Sequence, residues 1–501
     1  MKERRYHALL IPITTLTLYS MGLNISLPIG SLLAVTNTLW MKDQYNEYVS
    51  GVLLVLSGFE LLALLHWLFF IPLNLTSPFG IIANVENSIY RMTVNVSIIF
   101  VLGLFLAWIP KTNIILREKL QFSTIATPRL GGEKGFWSIV LLLFSVVLAI
   151  VAAVYPYNPM LNPQGSVVGA DAREYIKVAE NLEADRVFLY DVLRGPRSLI
   201  FILIWSYRRL LSIDIPNAVR FLPILLNPLI VLASFFIGKE SSDDWWVGSW
   251  AAFFTACSYQ VTVGMFSHFL ANMLALSLVF ISLGFLFRAI RLKSKRSLAY
   301  ACMIGSLLVF THPWTYTQYL STTIITTTVV GSLAYVNRSD YDESKVLIIY
   351  TMSLGLSNIF KELLLGGYGG VTASSTVITR IYNIGNFWAR YKLGVMMRYG
   401  GYLINLVVFF FALLGILSRK KKETPDIYFT ALLFASSPFF FISEFNILAR
   451  LLYNLPIGLL TAYGFMSVLR SQIDEKVKFS LIFFTGLYLT VYLIRSVAIL
   501  V

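Results

Sequence analysis

Long apolar blocks without a single charge are the feature that most constrains how this chain folds. Three of them cover residues 136–155, 269–287 and 479–493. About twenty such residues in a helix cross a hydrocarbon core of roughly 30 Å. Apolar residues make up 57% of the chain and charged residues only 13%, which is too little charge to cover soluble domains of this size. We therefore predict an all-α fold, a polytopic transmembrane helical bundle.

Hydropathy windows predict about 13 or 14 membrane spans. They fall at residues 7–35, 49–72, 93–110, 136–155, 218–238, 245–264, 268–288, 298–312, 315–336, 345–363, 400–418, 426–443, 451–469 and 479–499. The first block is long enough for one tilted helix or for a hairpin, and the sequence leaves both open.

Three strongly basic loops predict the orientation of these spans, because Lys and Arg accumulate on the cytoplasmic side. The loops are residues 111–135, 288–296 and 419–422. They also account for the net charge of +14 without a nucleic-acid partner, since basic loops face anionic membrane lipids. The predicted location is the cell membrane, crossed many times.

Two long loops then fall on the outer side, at residues 156–197 and 364–399. All three basic loops can lie on the cytoplasmic side only if the chain crosses the membrane an even number of times between them. This requires the short amphipathic block 198–212 to lie along the interface rather than cross the membrane. The second loop has no acidic residue but contains Arg390 and Arg398 among several aromatic side chains. A basic outer loop opposes the usual charge bias and predicts an anionic ligand at the membrane surface.

The first outer loop contains an acidic motif that runs from Gly169 through Asp171 and Glu174 to Tyr175. Asp171 stands where a helix N-cap is expected, and Glu174 follows three residues later, as in a capping box. The same spacing places both carboxylates on one helical face, where one can act as a base or hold a divalent ion. The residues alone leave the structural and the catalytic interpretations open.

Further polar residues interrupt the apolar blocks at their predicted outer ends. An ionisable group there is a functional candidate by default, and the arginine fork matches phosphate oxygens well. The candidate substrate-binding residues are Tyr175, His268, Asn272, His312, Arg390, Arg398, Glu444 and Arg450.

The architecture resembles the GT-C glycosyltransferases. In that superfamily a large outer loop follows a span, contains an acidic residue beside a helix start, and precedes an interfacial helix and further spans. The resemblance covers residues 136–501 as a transmembrane catalytic domain and leaves 1–135 as an N-terminal membrane extension. It implies that Asp171 is the catalytic base or a metal ligand, with Glu174 assisting. The implied donor is a sugar linked to polyprenyl phosphate, and the acceptor a lipid, glycan or protein.

Two departures qualify the resemblance. Oligosaccharyltransferase subunits of the superfamily carry an Asp-x-Asp in this loop and a soluble domain with a Trp-Trp-Asp motif after the spans, and this sequence has neither. Single-sugar transferases, such as those that move mannose or aminoarabinose, are therefore the closer expectation. No cofactor is certain, although Mg or Mn is possible. The alternative function is a transporter or flippase of lipid-linked or anionic substrates.

Overall fold

The computed structural model describes residues 132–184, 189–337, 341–363, 366, 406–418, 423–442, 450–470 and 475–498. These residues are 86% helical and contain no strand, which confirms the predicted all-α membrane bundle. Over the same residues, five helices are long and apolar enough to cross a membrane. The predicted spans at 7–35, 49–72 and 93–110 lie outside the described residues, as do residues 1–131 of the predicted extension 1–135.

We number the described α-helices in chain order. They are α1 Gly132–Val154, α2 Ala172–Ala184, α3 Leu189–Arg194, α4 Ser198–Leu211, α5 Ile215–Phe221, α6 Pro223–Ser242, α7 Trp245–Ala256, α8 Tyr259–Ser267, α9 Leu270–Leu292, α10 Lys295–Leu307, α11 Pro313–Asn337, α12 Asp342–Leu363, α13 Leu406–Ser418, α14 Thr424–Ile442, α15 Ile457–Leu469 and α16 Glu475–Ala498. Short 3-10 turns at Tyr155–Tyr157 and Leu308–Phe310 extend α1 and α10.

Three predicted spans are divided within the described residues, and one of them, 451–469, separates into the helical turn at 450–453 and α15. The block 245–264 forms α7 and α8, because Ser258 starts a new helix with its side chain accepting a hydrogen bond from the Gln260 N–H. The block 298–312 forms α10 and the 3-10 turn. A capping hydroxyl gives the backbone a local alternative to the continuous helix.

Contacts divide the chain into two compact units. In the larger unit, α6 is central and packs against α1, α7 and α9, while α11 packs against α12 and α14. The helices between α1 and α6 form a separate layer, in which α2, α4 and α5 pack on one another and α4 also contacts α9. At 14 residues, α4 is not among the candidate membrane spans of the described residues. It remains our predicted interfacial helix.

The smaller unit contains α13, α16 and most of α15. Gly415 and Gly464 allow α13 and α15 to approach so closely that a Cβ on either would collide with backbone of the other helix. Thr461 donates a hydrogen bond to the Val408 carbonyl across the same contact, at 2.8 Å. Small residues and hydroxyl groups of this kind are the usual means of packing helices in lipid.

Charged side chains form a cluster at the end of the larger unit that lies opposite the Asp171 loop. At the end opposite the Asp171 loop, a charged cluster connects α6 to α9, in which Arg291 pairs with buried Glu240 and with Asp243. Nearby, Lys293 after α9 pairs with Asp342 at the start of α12. Arg291 and Lys293 belong to the basic loop 288–296, which the sequence predicts to be cytoplasmic.

Candidate active site at the Asp171 loop

The acidic motif begins in a loop, residues 169–171, whose backbone is bonded to the end of α8. The backbone N–H groups of Ala170 and Asp171 donate to the carbonyls of Phe266 and Ser267, at 3.0 and 3.1 Å. Helix α2 begins one residue after Asp171, as the capping pattern predicts. The loop position of Asp171 is therefore set by backbone bonds to a distant helix end as well as by its own helix.

Tyr175 reinforces this attachment. Its hydroxyl accepts a hydrogen bond from the Ala271 N–H at 3.2 Å, in the first turn of α9. Its ring packs edge-on against His268, with 6.4 Å between ring centroids. Tyr175 is 3% exposed and His268 is fully buried. Both predicted substrate-binding residues thus lie beneath the loop, where they support the position of Asp171.

The Asp171 carboxylate meets Arg450, a residue from the far end of the chain. Arg450 Nη2 lies 3.8 Å from Asp171 Oδ2, and the side chains are 17% and 23% exposed, respectively. The guanidinium also lies over the Phe269 ring, 5.8 Å from its centroid. The described residues donate no first-turn backbone hydrogen bond to this carboxylate. The capping-box interpretation therefore gives way to an ion pair at the surface of the bundle end.

Glu174 lies apart from this pair. It is exposed in the first turn of α2, and the described residues give it no hydrogen bond or ion pair. Within the described part of the chain, no three His, Cys, Asp or Glu side chains are close enough together to hold a metal ion.

His312 lies in the turn before α11 and is fully buried. Its Nδ1 accepts a hydrogen bond from the Thr315 N–H at 3.3 Å, and Asn272 Nδ2 lies 3.3 Å from the same atom. In the tautomer in which Nδ1 accepts this bond, the proton of the neutral ring lies on Nε2. Among the described residues, Nε2 has no hydrogen-bond partner.

The charge state of His312 follows from its surroundings. Burial lowers its pKa well below the usual value, and the positive charges of Arg197 and Arg450 lower it further. The ring is therefore neutral near pH 7 and lies in a region of positive potential. This is a setting that favours an anion.

A polar network joins His312 to the segment that contains Arg450. The Thr315 hydroxyl connects His312 to the Asn454 side chain at 3.0 and 3.2 Å, and Asn454 in turn donates to Gln318 at 2.9 Å. Tyr319 donates to the Asn454 carbonyl at 2.8 Å. Four residues after Arg450, Asn454 thus fixes the helical turn at 450–453 against α11.

The structure therefore brings six predicted site residues to one end of the bundle. They are Asp171, Tyr175, His268, Asn272, His312 and Arg450. Arg390, Arg398 and Glu444 lie outside the described residues. Sequence reasoning missed Arg197, Phe269, Asn454 and Lys361. For Lys361 a signal was present, since it is a lone lysine near the end of an apolar span.

Comparisons with known proteins give similarity in structure alone. No family model and no curated protein sequence matches the chain. Two solved structures of an Archaeoglobus fulgidus oligosaccharyltransferase are similar to it, one in the apo form and one tethered by a disulfide bond to an acceptor peptide with the NVT sequon. Each is 14% identical over 72% of this chain, with TM-scores of 0.48 and 0.47. The matched regions span 56% and 55% of those proteins.

Proposed function

We propose that this protein is a membrane glycosyltransferase of the GT-C type. It would transfer a sugar from a polyprenyl-phosphate donor to a lipid, glycan or protein acceptor on the outer side of the membrane. The observation that carries the proposal is the pairing of Asp171 with Arg450 in a partly exposed position at the bundle end. A carboxylate base and a phosphate-binding guanidinium are the two groups that such a transfer needs.

In this mechanism the Asp171 carboxylate accepts the proton of the acceptor hydroxyl. The acceptor oxygen forms a bond to the anomeric carbon while the bond from that carbon to the phosphate oxygen breaks. The electron pair leaves with the lipid phosphate, and in-line attack inverts the anomeric centre. A general base of this kind typically contributes about 10²–10⁴-fold to the rate.

Arg450 stabilises the departing phosphate. Its planar guanidinium matches two phosphate oxygens and is charged at every relevant pH. Before substrate binds, Arg450 Nη2 lies 3.8 Å from Asp171 Oδ2, so this ion pair must open to place the acceptor hydroxyl and the donor phosphate on opposite sides of the anomeric carbon. The neutral N–H of His312 adds a donor on the same side.

Transfer of label from a defined donor tests the proposal. The purified protein in liposomes is given mannosyl or glucosyl phosphopolyprenol with tritium in the sugar, together with extracted membrane acceptors. We expect label to appear in the acceptor fraction, and Asp171→Asn to lower its rate about 100-fold or more. The matched control is Asp191→Asn, an exposed carboxylate in α3 of the same outer segment, which should retain the wild-type rate.

Two results would contradict the proposal. If well-folded Asp171→Asn transfers sugar at the full wild-type rate, Asp171 is not the general base. Movement of the labelled lipid between leaflets without a new glycosidic bond would instead support the flippase alternative.

A further inference from the structure

Lys361 is a fully buried cation near the end of α12. Its Nζ donates to the Gly195 carbonyl at 2.8 Å and to the Val309 carbonyl at 3.0 Å, and it lies 5.0 Å from the centroid of the Phe310 ring. Within the described residues it forms no ion pair. Burial of an ammonium group costs free energy, and these carbonyl bonds are what offset that cost.

The two carbonyls belong to different parts of the site. Gly195 lies in the turn between α3 and α4, in the predicted outer loop 156–197, which we call the outer segment. Val309 lies in the 3-10 turn that leads to His312. Lys361 therefore joins the outer segment to the turn that carries His312.

Two more bonds fasten the same turn of the outer segment. Ser198 Oγ donates to the Phe310 carbonyl at 3.2 Å, and Arg194 Nη2 donates to the Gly366 carbonyl at 3.3 Å. Residues 194–198 are thus attached at three points, to Lys361 near the end of α12, to Phe310 before His312 and to Gly366 after α12. Lys361 and Ser198 are both buried, whereas the bond from Arg194 is exposed.

Arg197 lies inside the fastened turn. It is partly buried, and the described residues give it no carboxylate partner. Its charge reaches His312 strongly enough to lower the pKa of that ring, together with the charge of Arg450. Ser198, the next residue, bonds to the Phe310 carbonyl two residues before His312, and this contact places the Arg197 backbone beside the turn that carries His312.

We propose that Lys361 is a positioning residue that holds Arg197 beside His312, and that Arg197 is the second cation, with Arg450, that binds the phosphate of the donor. This rests on the proposed function, because the anion is the donor phosphate. Lys361 contacts no reacting atom and acts through the backbone of Gly195.

Donor kinetics and hydrogen exchange together test this proposal. Lys361→Met keeps the length of the side chain and removes the charge. The matched control is Lys345→Met, the same change on α12 at a lysine whose side chain is 70% exposed. With the mannosyl or glucosyl phosphopolyprenol probe, we expect Lys361→Met and Arg197→Gln each to raise the donor KM about tenfold with little change in kcat. Lys345→Met should leave KM unchanged.

The double variant distinguishes positioning from an independent effect. If Lys361 acts through Arg197, Lys361→Met with Arg197→Gln should raise KM no further than either change alone. Multiplied effects on KM would overturn the proposal, as would a KM for Lys361→Met equal to that of Lys345→Met.

Amide hydrogen exchange of the 192–198 segment gives a readout without substrate. We expect faster exchange in Lys361→Met than in Lys345→Met, and equal rates would overturn the positioning role. Should Lys361→Met not fold, Ser198→Ala loosens the same turn and should produce the same two changes in a milder form. If wild type transfers no sugar, the proposed function fails, while the exchange comparison still decides whether Lys361 holds the turn.

Discussion

Gly169 lies against His268 so closely that a Cβ on the glycine would be 2.6 Å from the histidine Cβ and 2.9 Å from the Met265 carbonyl oxygen. Gly169 also has a φ of +113°, which side-chain-bearing residues rarely adopt. This contact places Asp171, two residues later, where its backbone bonds to Ser267.

Gly169→Ala should therefore destabilise the protein and reduce transfer. The added Cβ must displace the loop or the α8–α9 turn, at a cost of about 1–3 kcal/mol, and either shift moves the Asp171 carboxylate. The thermal midpoint in detergent and the transfer rate measure the two effects. Gly135→Ala, in α1 with no heavy atom within 4 Å of the new Cβ, is the control and should be neutral or slightly stabilising. Equal behaviour of the two variants would contradict the strain argument.

Arg450 should contribute to binding of the donor phosphate through the planar shape of its guanidinium group as well as through its charge. Arg450→Gln removes both and should lower kcat/KM for the donor roughly 100-fold, whereas Arg450→Lys keeps the charge and should fall between that variant and wild type. Arg209→Gln, exposed at the end of α4, is the control. Steady-state kinetics with the phosphopolyprenol donor give the values. Equal loss in the Lys and Gln variants would assign the effect to geometry alone, and no loss in either would exclude Arg450 from phosphate binding.

His268 should make the fold sensitive to acid. Burial lowers its pKa to about 4 from an ordinary value of 6.5. Between these pH values the unfolded chain binds more protons than the folded one, so the stabilisation present above pH 6.5 is lost as the pH falls toward 4, by about 3 kcal/mol. Thermal midpoints across pH 4–7 measure this loss.

The variant His268→Asn isolates that contribution. His268 has a φ of +53°, a conformation that Asn tolerates better than most residues, so the backbone of the turn can be kept. We expect a shallower dependence of the midpoint on pH in this variant. A slope identical to that of wild type would show that another group titrates in this range.

Thiol labelling tests the orientation on which the outer-side assignment depends. Met160 is 92% exposed in the loop before Asp171, and Arg296 is exposed at the start of α10, at the opposite end. In a background with Cys302→Ser, since Cys257 is buried, Met160→Cys should react with an impermeant reagent in intact cells. Arg296→Cys should react only after lysis. The reverse pattern would place Asp171 on the cytoplasmic side.

The sequence by itself determined the class of fold and much of the local structure. Uncharged blocks about twenty residues long have few alternatives to membrane helices, because the backbone must satisfy its own hydrogen bonds in lipid. The helix α2 starts after Asp171, where the sequence pattern predicts it, although the Asp171 carboxylate pairs with Arg450 and does not cap the helix. The break at Ser258 was not predicted, because hydropathy windows do not register a single capping hydroxyl.

Only the tertiary structure decided which of these residues meet. Asp171 and Arg450 are far apart in the chain, and their 3.8 Å approach depends on the packing of α8, α9 and the 450–453 turn. The partners of Lys361 are backbone carbonyls, which every residue carries and no sequence pattern marks. Local chemistry fixes where helices begin and which faces are apolar, whereas the pairing of distant side chains follows from how those helices pack.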